Sequence, residues 1–277
     1  PHAPARTPAV PSPYASRRME GVVMSCVVPE SDFALDELLA GIDASLITPM
    51  FQPIVDLRHG VAAGFEVLSR GPEPYRSPEA LFERARELGM TWQLERACRL
   101  AALNAIAALP ASLQRYTYFV NVSPEVMEAQ TFLSAPHIVI EITERASIGD
   151  YDRFETLVRH YASQGFDIAL DDFGAGNSGL RTLISCRPHY LKLDMAVTRR
   201  VDREPYKQRI VRSMVEFARN IGAVLIAEGV ETWQEAEALM ACGVEWAQGF
   251  LFARPMPRPQ LLPREVSVRV MRGWTRT

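Results

Sequence analysis

Two adjacent aspartates stand directly before a glycine-rich loop in the stretch IALDDFGAGNSGL, residues 168–180. From Gly174 the loop spells G-x-G-x-x-G, and Asp194 follows where the ribose-binding acid of a nicotinamide-dinucleotide site would stand. That glycine pattern is a weak signal by itself, and the bare carboxylates of Asp171 and Asp172 repel a diphosphate. The same two acids can instead serve two divalent cations roughly 4 Å apart, and such cations attract a phosphodiester. The stretch therefore favours metal chemistry over dinucleotide binding.

Further polar residues lie inside strand-like runs, where alternation fixes the direction of each side chain. In HIVIEITE, residues 137–144, Ile140 and Ile142 face the helices, so Glu141 points inward. The same alternation turns a set of polar residues inward near the C-terminal ends of their strands: Glu66, Asn121, Glu141, Asp171, Lys192, Glu228 and Gln248. In a closed parallel barrel, that end carries the active site.

This inward set combines many acids with one cation. The acids are Glu66, Glu141, Asp171, Asp172 and Glu228, and the cation is Lys192. Gathering these acids at one mouth is unfavourable, because like charges raise one another's pKa and desolvation adds to the cost. Either several carboxyls are protonated at neutral pH or cations are bound among them. All candidate ligands are oxygens, including the amide of Asn121, which suits Mg²⁺ or Mn²⁺ rather than zinc.

Eight strand-like runs are available to position these residues. VAAGFEVLSR follows LITPMFQPIVD across the short, glycine-containing connection LRHG, which predicts a hairpin. Six further runs alternate with helical patterns, which predicts a parallel sheet. These runs are YTYFVNVSP, HIVIEITE, DIALDDFG, YLKLD, AVLIAEGV and EWAQGFLF. Eight strands in roughly 230 residues predict an α/β fold, a closed (β/α)8 TIM-like barrel, rather than an open doubly wound sheet.

Composition places the chain among ordinary globular proteins and excludes several classes. Of its 277 residues, 23% are charged, and the net charge of −3 gives no footprint for binding a nucleic-acid duplex. The four cysteines are far apart, which argues against a zinc site or a disulfide framework and favours the cytoplasm. The apolar runs are shorter than the roughly 20 residues of a membrane helix, and no convincing signal-peptide cleavage site follows RRMEGVVMSCVV.

The two ends of the chain differ from its middle. Five prolines fall within the first sixteen residues, a composition that cannot bury enough apolar surface to become ordered. We therefore expect residues 1–30 to be a disordered linker or a remnant of cloning, residues 31–262 to form the barrel, and residues 263–277 to form a C-terminal tail. The chain does not begin with Met, and we expect a longer parent protein with a sensory or regulatory domain.

Taken singly, each polar residue also has a plainer interpretation. The acids of HIVIEITE can form an exposed strand edge, and Lys192 can pair with Asp194 inside the barrel. Asn121 can stabilise a turn, Arg70 can be a surface cation and Gln52 a satisfied core amide. The coincidence of seven strand ends that each offer a metal-compatible or catalytic group favours one site over these separate explanations.

Eight ordered motifs also make the chain resemble a known family. They are FQPIVD, FEVLSR, FVNVSP, IEITE, DDFGAGNSGL, YLKLD, AEGVET and QGFLFARPMP. In order and spacing they are similar to the motifs of EAL-domain cyclic-di-GMP phosphodiesterases, over about residues 32–258. The resemblance implies a bacterial barrel whose first strand runs antiparallel to the others. It also implies hydrolysis of cyclic di-GMP to linear pGpG with two Mg²⁺ or Mn²⁺ ions, and a homodimer formed through the barrel.

Matched motif by motif, the resemblance implies a role for each site residue. The metal ligands would be Glu66, Asn121, Glu141, Asp171, Asp172 and Glu228. Glu228 would also act as general base, while Lys192 would hold or polarise the attacking water. The substrate-binding residues would be Gln52, Arg70 and Gln248, the last of which would also support metal-bound waters. Supporting roles behind these groups would fall to Glu144, Asp194 and Glu231, with Glu144 tethering the loop at the dimer interface.

The chain departs from the family pattern at a few positions, and two functions stay open. Residues 66–68 read EVL where the signature reads EAL, and Ala175, Asn177 and His189 replace residues that are frequent in the family. None of these changes removes a ligand. One open function is an active phosphodiesterase that lowers the level of the second messenger. The other is a catalytically weak receptor that signals by binding cyclic di-GMP; such receptors usually lose ligands that this chain keeps.

Overall fold

Eight strands close into a barrel in the computed structural model, which describes residues 44–124, 127, 137–143, 148–174 and 179–275. The strands are β1 (Thr48–Asp56), β2 (Val61–Arg70), β3 (Thr117–Asn121), β4 (Ile138–Thr143), β5 (Asp167–Phe173), β6 (Tyr190–Leu193), β7 (Val224–Ala227) and β8 (Trp246–Gln248). Strands β2 to β8 pair in parallel, whereas β1 is antiparallel to both β2 and β8. The predicted barrel, its opening hairpin and its reversed first strand are confirmed.

Helices cover the outside of the barrel between the strands. They are α1 (Pro78–Glu87), α2 (Thr91–Ala107), α3 (Ala111–Gln114), α4 (Tyr151–Ser163), α5 (Gly179–Cys186), α6 (Met195–Thr198), α7 (Pro205–Asn220), α8 (Trp233–Ala241) and α9 (Arg264–Trp274). A 3₁₀ turn, Ala44–Leu46, precedes β1. The start of α1 follows its sequence, since the side chain of Ser77 accepts a hydrogen bond from the amide of Ala80 and Pro78 occupies the first turn. Among the described residues, no helix is long and apolar enough to cross a membrane.

Three apolar clusters make up the described core: one packs Ile47 against α1 and α2, and side-chain alternation along the strands separates the other two. The larger cluster lies between strands and helices and contains the outward residues of β4, Ile138, Ile140 and Ile142. The smaller cluster fills the lumen and consists of Ile54, Phe119, Val139, Ala169 and Ile226, with Tyr190 and Trp246 packed against it. The lumen is therefore a packed plug on which the inward residues nearer the strand ends rest.

The last strand is shorter than the run EWAQGFLF predicts. It ends at Gln248, and residues after it turn, with the amide of Phe252 donating to the carbonyl of Gly249 at 3.1 Å. The backbone of Val230 lies so close to Gly249 that a side chain on residue 249 would collide with it. Tertiary packing against the loop after β7 therefore ends β8 at Gln248, although the β-propensity of the following residues favours a longer strand.

The C-terminal segment, residues 263–277, contains a helix where the sequence suggested only a tail. Val270 of α9 is fully buried in the outer core, and Arg269 stacks over the ring of Trp233 on α8. Apolar residues at positions 262, 266, 270 and 274 form the buried face, at the spacing of an amphipathic helix. The domain limits at residues 31 and 262 stay predictions, and the linker predicted over 1–30 lies outside the described residues.

Candidate active site

Lys192 lies at the centre of the polar layer in the lumen. Its Nζ is 2.6 Å from Glu141 Oε1, 2.7 Å from Glu228 Oε1, 3.1 Å from Asp171 Oδ1 and 3.4 Å from Glu66 Oε2. The strands β2, β4, β5 and β6 and the residue after β7 thus direct five charged side chains to one point. The four carboxylates that pair with Lys192 belong to Glu66, Glu141, Asp171 and Glu228, whereas Asp194 accepts a hydrogen bond from the amide of Ala196 at the start of α6.

Burial and mutual repulsion shift the pKa values in this cluster. Burial raises the pKa of Glu141 well above its ordinary value, and the nearby acids Glu66 and Asp171 add to the rise although Lys192 opposes it. Burial also raises the pKa of Glu228 to about 8, with the charge of Asp171 adding to it. For Lys192, burial alone would lower the pKa, but the surrounding carboxylates together hold it well above the ordinary value. One lysine does not neutralise all of these acids.

Asp171 and Asp172 both reach the mouth because β5 is irregular there. Adjacent residues of a regular strand point to opposite faces, so strand alternation alone would turn only one of them inward. The pairing of β5 with β6 shifts register between Leu170 and Phe173, and Asp172 has a left-handed backbone with φ of 57°. Such a bulge re-aims side chains, and strained backbone of this kind is concentrated at functional sites. The hydroxyl of Thr143 donates to Asp172 Oδ2 at 3.3 Å and fixes its carboxylate.

The residues fit a divalent-metal site. Carboxylate oxygens of Asp171, Asp172 and Glu228 lie within 4.8 Å of one another, and all three side chains are partly exposed at the mouth. Deeper in the lumen, Glu141 Oε2 is buried without a hydrogen-bond partner among the described residues. A buried, unpaired carboxylate oxygen requires a cation or a proton. A donor set made only of oxygens is the kind that Mg²⁺ and Mn²⁺ prefer.

Amide side chains complete the wall of the lumen. Gln248 Nε2 donates to Glu66 Oε2 at 2.6 Å and to Gln52 Oε1 at 3.1 Å. Gln52 Nε2 in turn donates to the carbonyl of Ala253 at 3.1 Å. Asn121 Nδ2 donates to Glu66 Oε1 at 3.3 Å. This bond turns the amide oxygen of Asn121 away from Glu66. These bonds fix the orientation of the Glu66 carboxylate and leave the Asn121 oxygen to act as a ligand.

The remaining predicted residues lie around this centre or outside the described part. Arg70 ends β2 at the mouth, but its guanidinium folds back to the carbonyl of Ser69 at 2.9 Å. Glu231 pairs with Arg199, with Nη2 and Oε1 2.7 Å apart. Asp194 follows β6 and is buried in the wall of the cavity that lies over Glu228. Glu144 lies outside the described residues, as do the departures Ala175 and Asn177, so the roles given to them stay predictions.

Two cavities open at the mouth and share Glu66 and Asp172 in their walls. One, of about 460 Å³, extends from the acids toward α1 and α2. The other, of about 370 Å³, lies over Glu228. Both sizes fall in the range of small-molecule sites. The rim of the second cavity contains residues that sequence reasoning missed, namely Met195, Arg199 and Phe250.

These rim residues belong to no motif that the sequence could have revealed. They follow strands β6 and β8 on connecting segments, and only the rule that barrel sites use such segments would have drawn attention to them. Met195 and Phe250 are also exposed apolar side chains, with 46% and 48% of their surface accessible. Isolated exposed apolar residues are common, so exposure alone would not have marked them.

A family model and curated relatives match most of this chain. The EAL domain model matches residues 35–255. The probable cyclic di-GMP phosphodiesterase PdeG of Escherichia coli K12 is 29% identical over 226 residues, covering 76% of this chain and 45% of that protein. The cyclic di-GMP phosphodiesterase RocR of Pseudomonas aeruginosa is 31% identical over 245 residues, covering 82% of this chain and 62% of that protein. The chain therefore spans about half to three fifths of the length of these relatives.

Solved structures give the same likeness. BlrP1 of Klebsiella pneumoniae, in complex with manganese and cyclic di-GMP, aligns with a TM-score of 0.70 and 28% identity over 78% of this chain and 58% of that one. A standalone EAL protein of Vibrio cholerae O395 with cyclic di-GMP bound aligns with a TM-score of 0.69 and 28% identity over 79% of this chain and 96% of that one. With the barrel, the ordered motifs and the family model in agreement, the chain belongs to the EAL domain family.

Proposed function

We propose that this chain is a metal-dependent phosphodiesterase that hydrolyses cyclic di-GMP to linear pGpG and thereby lowers the level of the second messenger. The observation that carries the proposal is the group of carboxylate oxygens from Asp171, Asp172 and Glu228, within 4.8 Å of one another at the barrel mouth. Relatives named as cyclic di-GMP phosphodiesterases and aligned structures with cyclic di-GMP and manganese support it.

Charge balance supports a site for two divalent ions. The carboxylates at the mouth are those of Glu66, Glu141, Asp171, Asp172 and Glu228. If all five are ionised, one lysine and two divalent cations balance their charge completely. We assign Glu66, Asn121, Glu141 and Asp171 to one ion and Asp171 and Asp172 to the other, with Glu228 close to both. Aligned structures of BlrP1 with manganese and with calcium support a divalent cation in such a site.

The chain's own residues account for the remaining requirements of the reaction. When bound, Mg²⁺ or Mn²⁺ would neutralise the phosphodiester and lower the pKa of the attacking water. Glu228 would accept the proton of that water, since its carboxylate lies at the mouth beside Asp171 and Asp172, with Oε1 2.7 Å from Lys192 Nζ. Lys192 would hold the attacking water in place from below. Gln52, Gln248 and a rotated Arg70 would contact the substrate, while Asp194 and Glu231 would support the loops that carry these groups.

A paired measurement on the wild type and Glu228→Gln tests this function against the receptor alternative. The substitution keeps side-chain size but removes the proton acceptor, so turnover should fall by at least ~10²-fold. Calorimetric affinity for cyclic di-GMP at the same Mg²⁺ concentration should stay close to that of the wild type. Product is followed by chromatography. Negligible turnover in both proteins with intact binding would establish the receptor instead, and a fast variant would move the base elsewhere.

We further propose a homodimer formed through the barrel. Support comes from α5, where Leu180 and Ile184 lie one turn apart and are 67% and 69% exposed. On the neighbouring face, Arg181 stacks over the ring of Tyr151 on α4 at 3.9 Å. Light scattering of the wild type should give twice the chain mass, and Leu180→Glu should give a monomer. A wild type that is monomeric at high concentration would contradict the dimer.

The setting of the protein is also a proposal. We place it in the cytoplasm, where thiols stay reduced, and the described cysteines at 98, 186 and 242 are free thiols buried in the core. Burial raises the pKa of Cys98 to about 11 and that of Cys186 to about 12, which keeps both unreactive. Since the curated relatives are longer than this chain, we propose that a sensory or regulatory domain accompanies the barrel in the parent protein.

A further inference from the structure

The segment after β6 contacts the segment after β7 at three points. We name residues 194–199 the β6 strap and residues 228–231 the Glu228 loop. The hydroxyl of Thr198 donates a hydrogen bond to the carbonyl of Glu228. Met195 lies directly over Gly229, so close that a Cβ on residue 229 would be 2.5 Å from Met195 Cβ. At the outer end, Arg199 pairs with Glu231.

These three contacts differ in burial. Thr198 is 1% exposed, so its hydroxyl is shielded from water, and the carbonyl of Glu228 that accepts from it is turned into this buried side of the contact. The side chains of Arg199 and Glu231 are 52% and 47% exposed, and ion pairs at that exposure contribute little. Removing the donor from a shielded carbonyl costs more than removing a pair that water can replace. The buried hydroxyl is therefore the main point of attachment.

The β6 strap is itself firmly held, so it can act as a fixed support. Asp194 Oδ1 accepts from the amide of Ala196 at 2.7 Å and begins α6. From α7, Lys207 Nζ donates to the carbonyls of Ala196 and Arg199, each at 2.7 Å. The hydroxyl of Thr198 also lies 3.3 Å from the carbonyl of Met195 within the same turn. The strap is thus tied both to itself and to the helix behind it.

The Glu228 loop is also tied through backbone bonds to the end of β6 and to the segment around the end of β8. The amide of Glu228 donates to the carbonyl of Leu193 at 3.2 Å, and the amide of Val230 donates to the carbonyl of Gln248 at 3.1 Å. The carbonyl of Val230 accepts from the amide of Leu251 at 3.0 Å. Between these bonds lies the peptide that follows Glu228, and its carbonyl takes its hydrogen bond from the side chain of Thr198. The orientation of this peptide thus depends on a side chain that substitution can remove.

We propose that Thr198 is a positioning residue for Glu228, and that its hydroxyl sets where the Glu228 carboxylate stands relative to Asp171 and Lys192. The proposal rests on the proposed function, in which that carboxylate takes the proton. Rotation of the Glu228–Gly229 peptide would swing the carboxylate, and a displacement of about 1 Å at a reacting group can cost 10²-fold in rate. Thr198 does not touch the substrate in this scheme.

Thr198→Val and Thr198→Ser form the test. Valine keeps the shape of threonine without a donor, whereas serine keeps the donor. In Thr198→Val, kcat should fall about tenfold or more with KM changed less than about twofold, because binding groups stay in place. Thr198→Ser should restore most of kcat. The matched control is Thr182→Val, since Thr182 is also fully buried and its hydroxyl lies 3.3 Å from that of Tyr151, away from the Glu228 loop.

Hydrogen exchange separates this proposal from the proposed function. Amides of residues 228–231 should exchange faster in Thr198→Val than in the wild type, and at the wild-type rate in Thr198→Ser and Thr182→Val. If the wild type does not turn over cyclic di-GMP, the proposed function fails while exchange still decides whether Thr198 orders the loop. Unchanged exchange in Thr198→Val overturns the inference. A kcat of Thr198→Val equal to that of the wild type would also overturn it. The same holds if Thr182→Val, per folded molecule, has a kcat as low as that of Thr198→Val.

Discussion

Two layers of the same lumen, two residues apart on the same strands, differ completely in chemistry. The lower layer is apolar and well packed: Phe119, Val139, Ala169 and Ile226 fill it, and Phe119 meets Tyr190 edge to face at 5.0 Å. Two positions further along each strand stand Asn121, Glu141, Asp171 and Glu228. Tyr190 and Lys192 on β6, and Trp246 and Gln248 on β8, repeat the same step.

The difference between the layers teaches how the barrel separates stability from reactivity. Inward residues on one strand recur at every second position. Moving two residues along a strand therefore leads from the dry apolar layer to the polar layer at the mouth. The lower layer gains free energy from burial, whereas the upper layer gathers acids that repel one another. The upper layer therefore depends on the lower one for its geometry. A substitution should accordingly affect either stability or activity, according to its layer.

Removing divalent cations should have the largest effect. Because the upper layer needs cations to balance its acids, exhaustive chelation should abolish hydrolysis of cyclic di-GMP, and Mg²⁺ or Mn²⁺ should restore it. Ca²⁺ should bind but support little turnover, since its larger coordination shell places water less strictly. The far-ultraviolet circular dichroism should stay unchanged, because the lower layer holds the fold. Full activity after chelation would contradict the metal site.

Phe119→Ala and Asn121→Ala compare the layers on one strand. Phe119 is fully buried, so its truncation should cost roughly 3–5 kcal/mol of unfolding free energy in a urea titration. Asn121 is exposed at the mouth, and its truncation should change stability by less than about 1 kcal/mol while weakening metal binding and turnover. Similar losses of stability in the two variants would show that the layers are not separate.

Arg70→Ala tests the edge of the upper layer. Arg70 contacts no acid of the cluster in its described hydrogen bond, which goes to Ser69. If it rotates to meet a phosphate, the variant should raise KM about tenfold and leave calorimetric Mn²⁺ affinity unchanged. An unchanged KM would leave Arg70 as a surface cation.

The smallest effect should be a pH dependence of stability in metal-free protein. Burial raises the pKa of Glu228 from an ordinary 4.5 to about 8, so the folded state holds this proton more tightly than the unfolded state. Its contribution to stability is complete below pH 4.5 and is lost as the pH rises through 8. The Tm of the wild type should therefore fall by roughly 5 °C relative to Glu228→Gln between pH 5 and 8. A constant difference in Tm would mean that Glu228 is already ionised at pH 5.

The alternation of strands and helices was enough to predict the barrel, and side-chain alternation along the strands was enough to predict the direction of the inward polar residues other than Asp172. The period of two leaves no freedom once a strand has one apolar face, as with Glu141 between Ile140 and Ile142. Wherever local and tertiary preferences agreed, the element was found, as with Ser77 at the start of α1. The roles of these residues in catalysis stay predictions.

What the sequence did not reveal depended on contacts between distant segments. The bulge at Asp172 is set by pairing with β6, and the early end of β8 is set by the approach of Val230 to Gly249. The attachment of Thr198 to Glu228 joins residues thirty positions apart and leaves no local pattern. The helix α9 lies in the segment expected to be a C-terminal tail, and its burial depends on packing against the distant helix α8.

The antiparallel direction of β1 determines at which end of the barrel the preceding chain joins it. Because Thr48 pairs with Arg70, β1 starts at the mouth, and the chain before it joins the barrel beside the acids rather than at the opposite end. From Thr48 to Gln52 is a distance of about 13 Å along the strand. A displacement of the chain before β1 would therefore be transmitted along this short length of strand to Gln52. Gln248, which donates to both Gln52 and Glu66, would pass it on to the Glu66 carboxylate. In a barrel whose strands were all parallel, the chain before the first strand would join at the end opposite the acids.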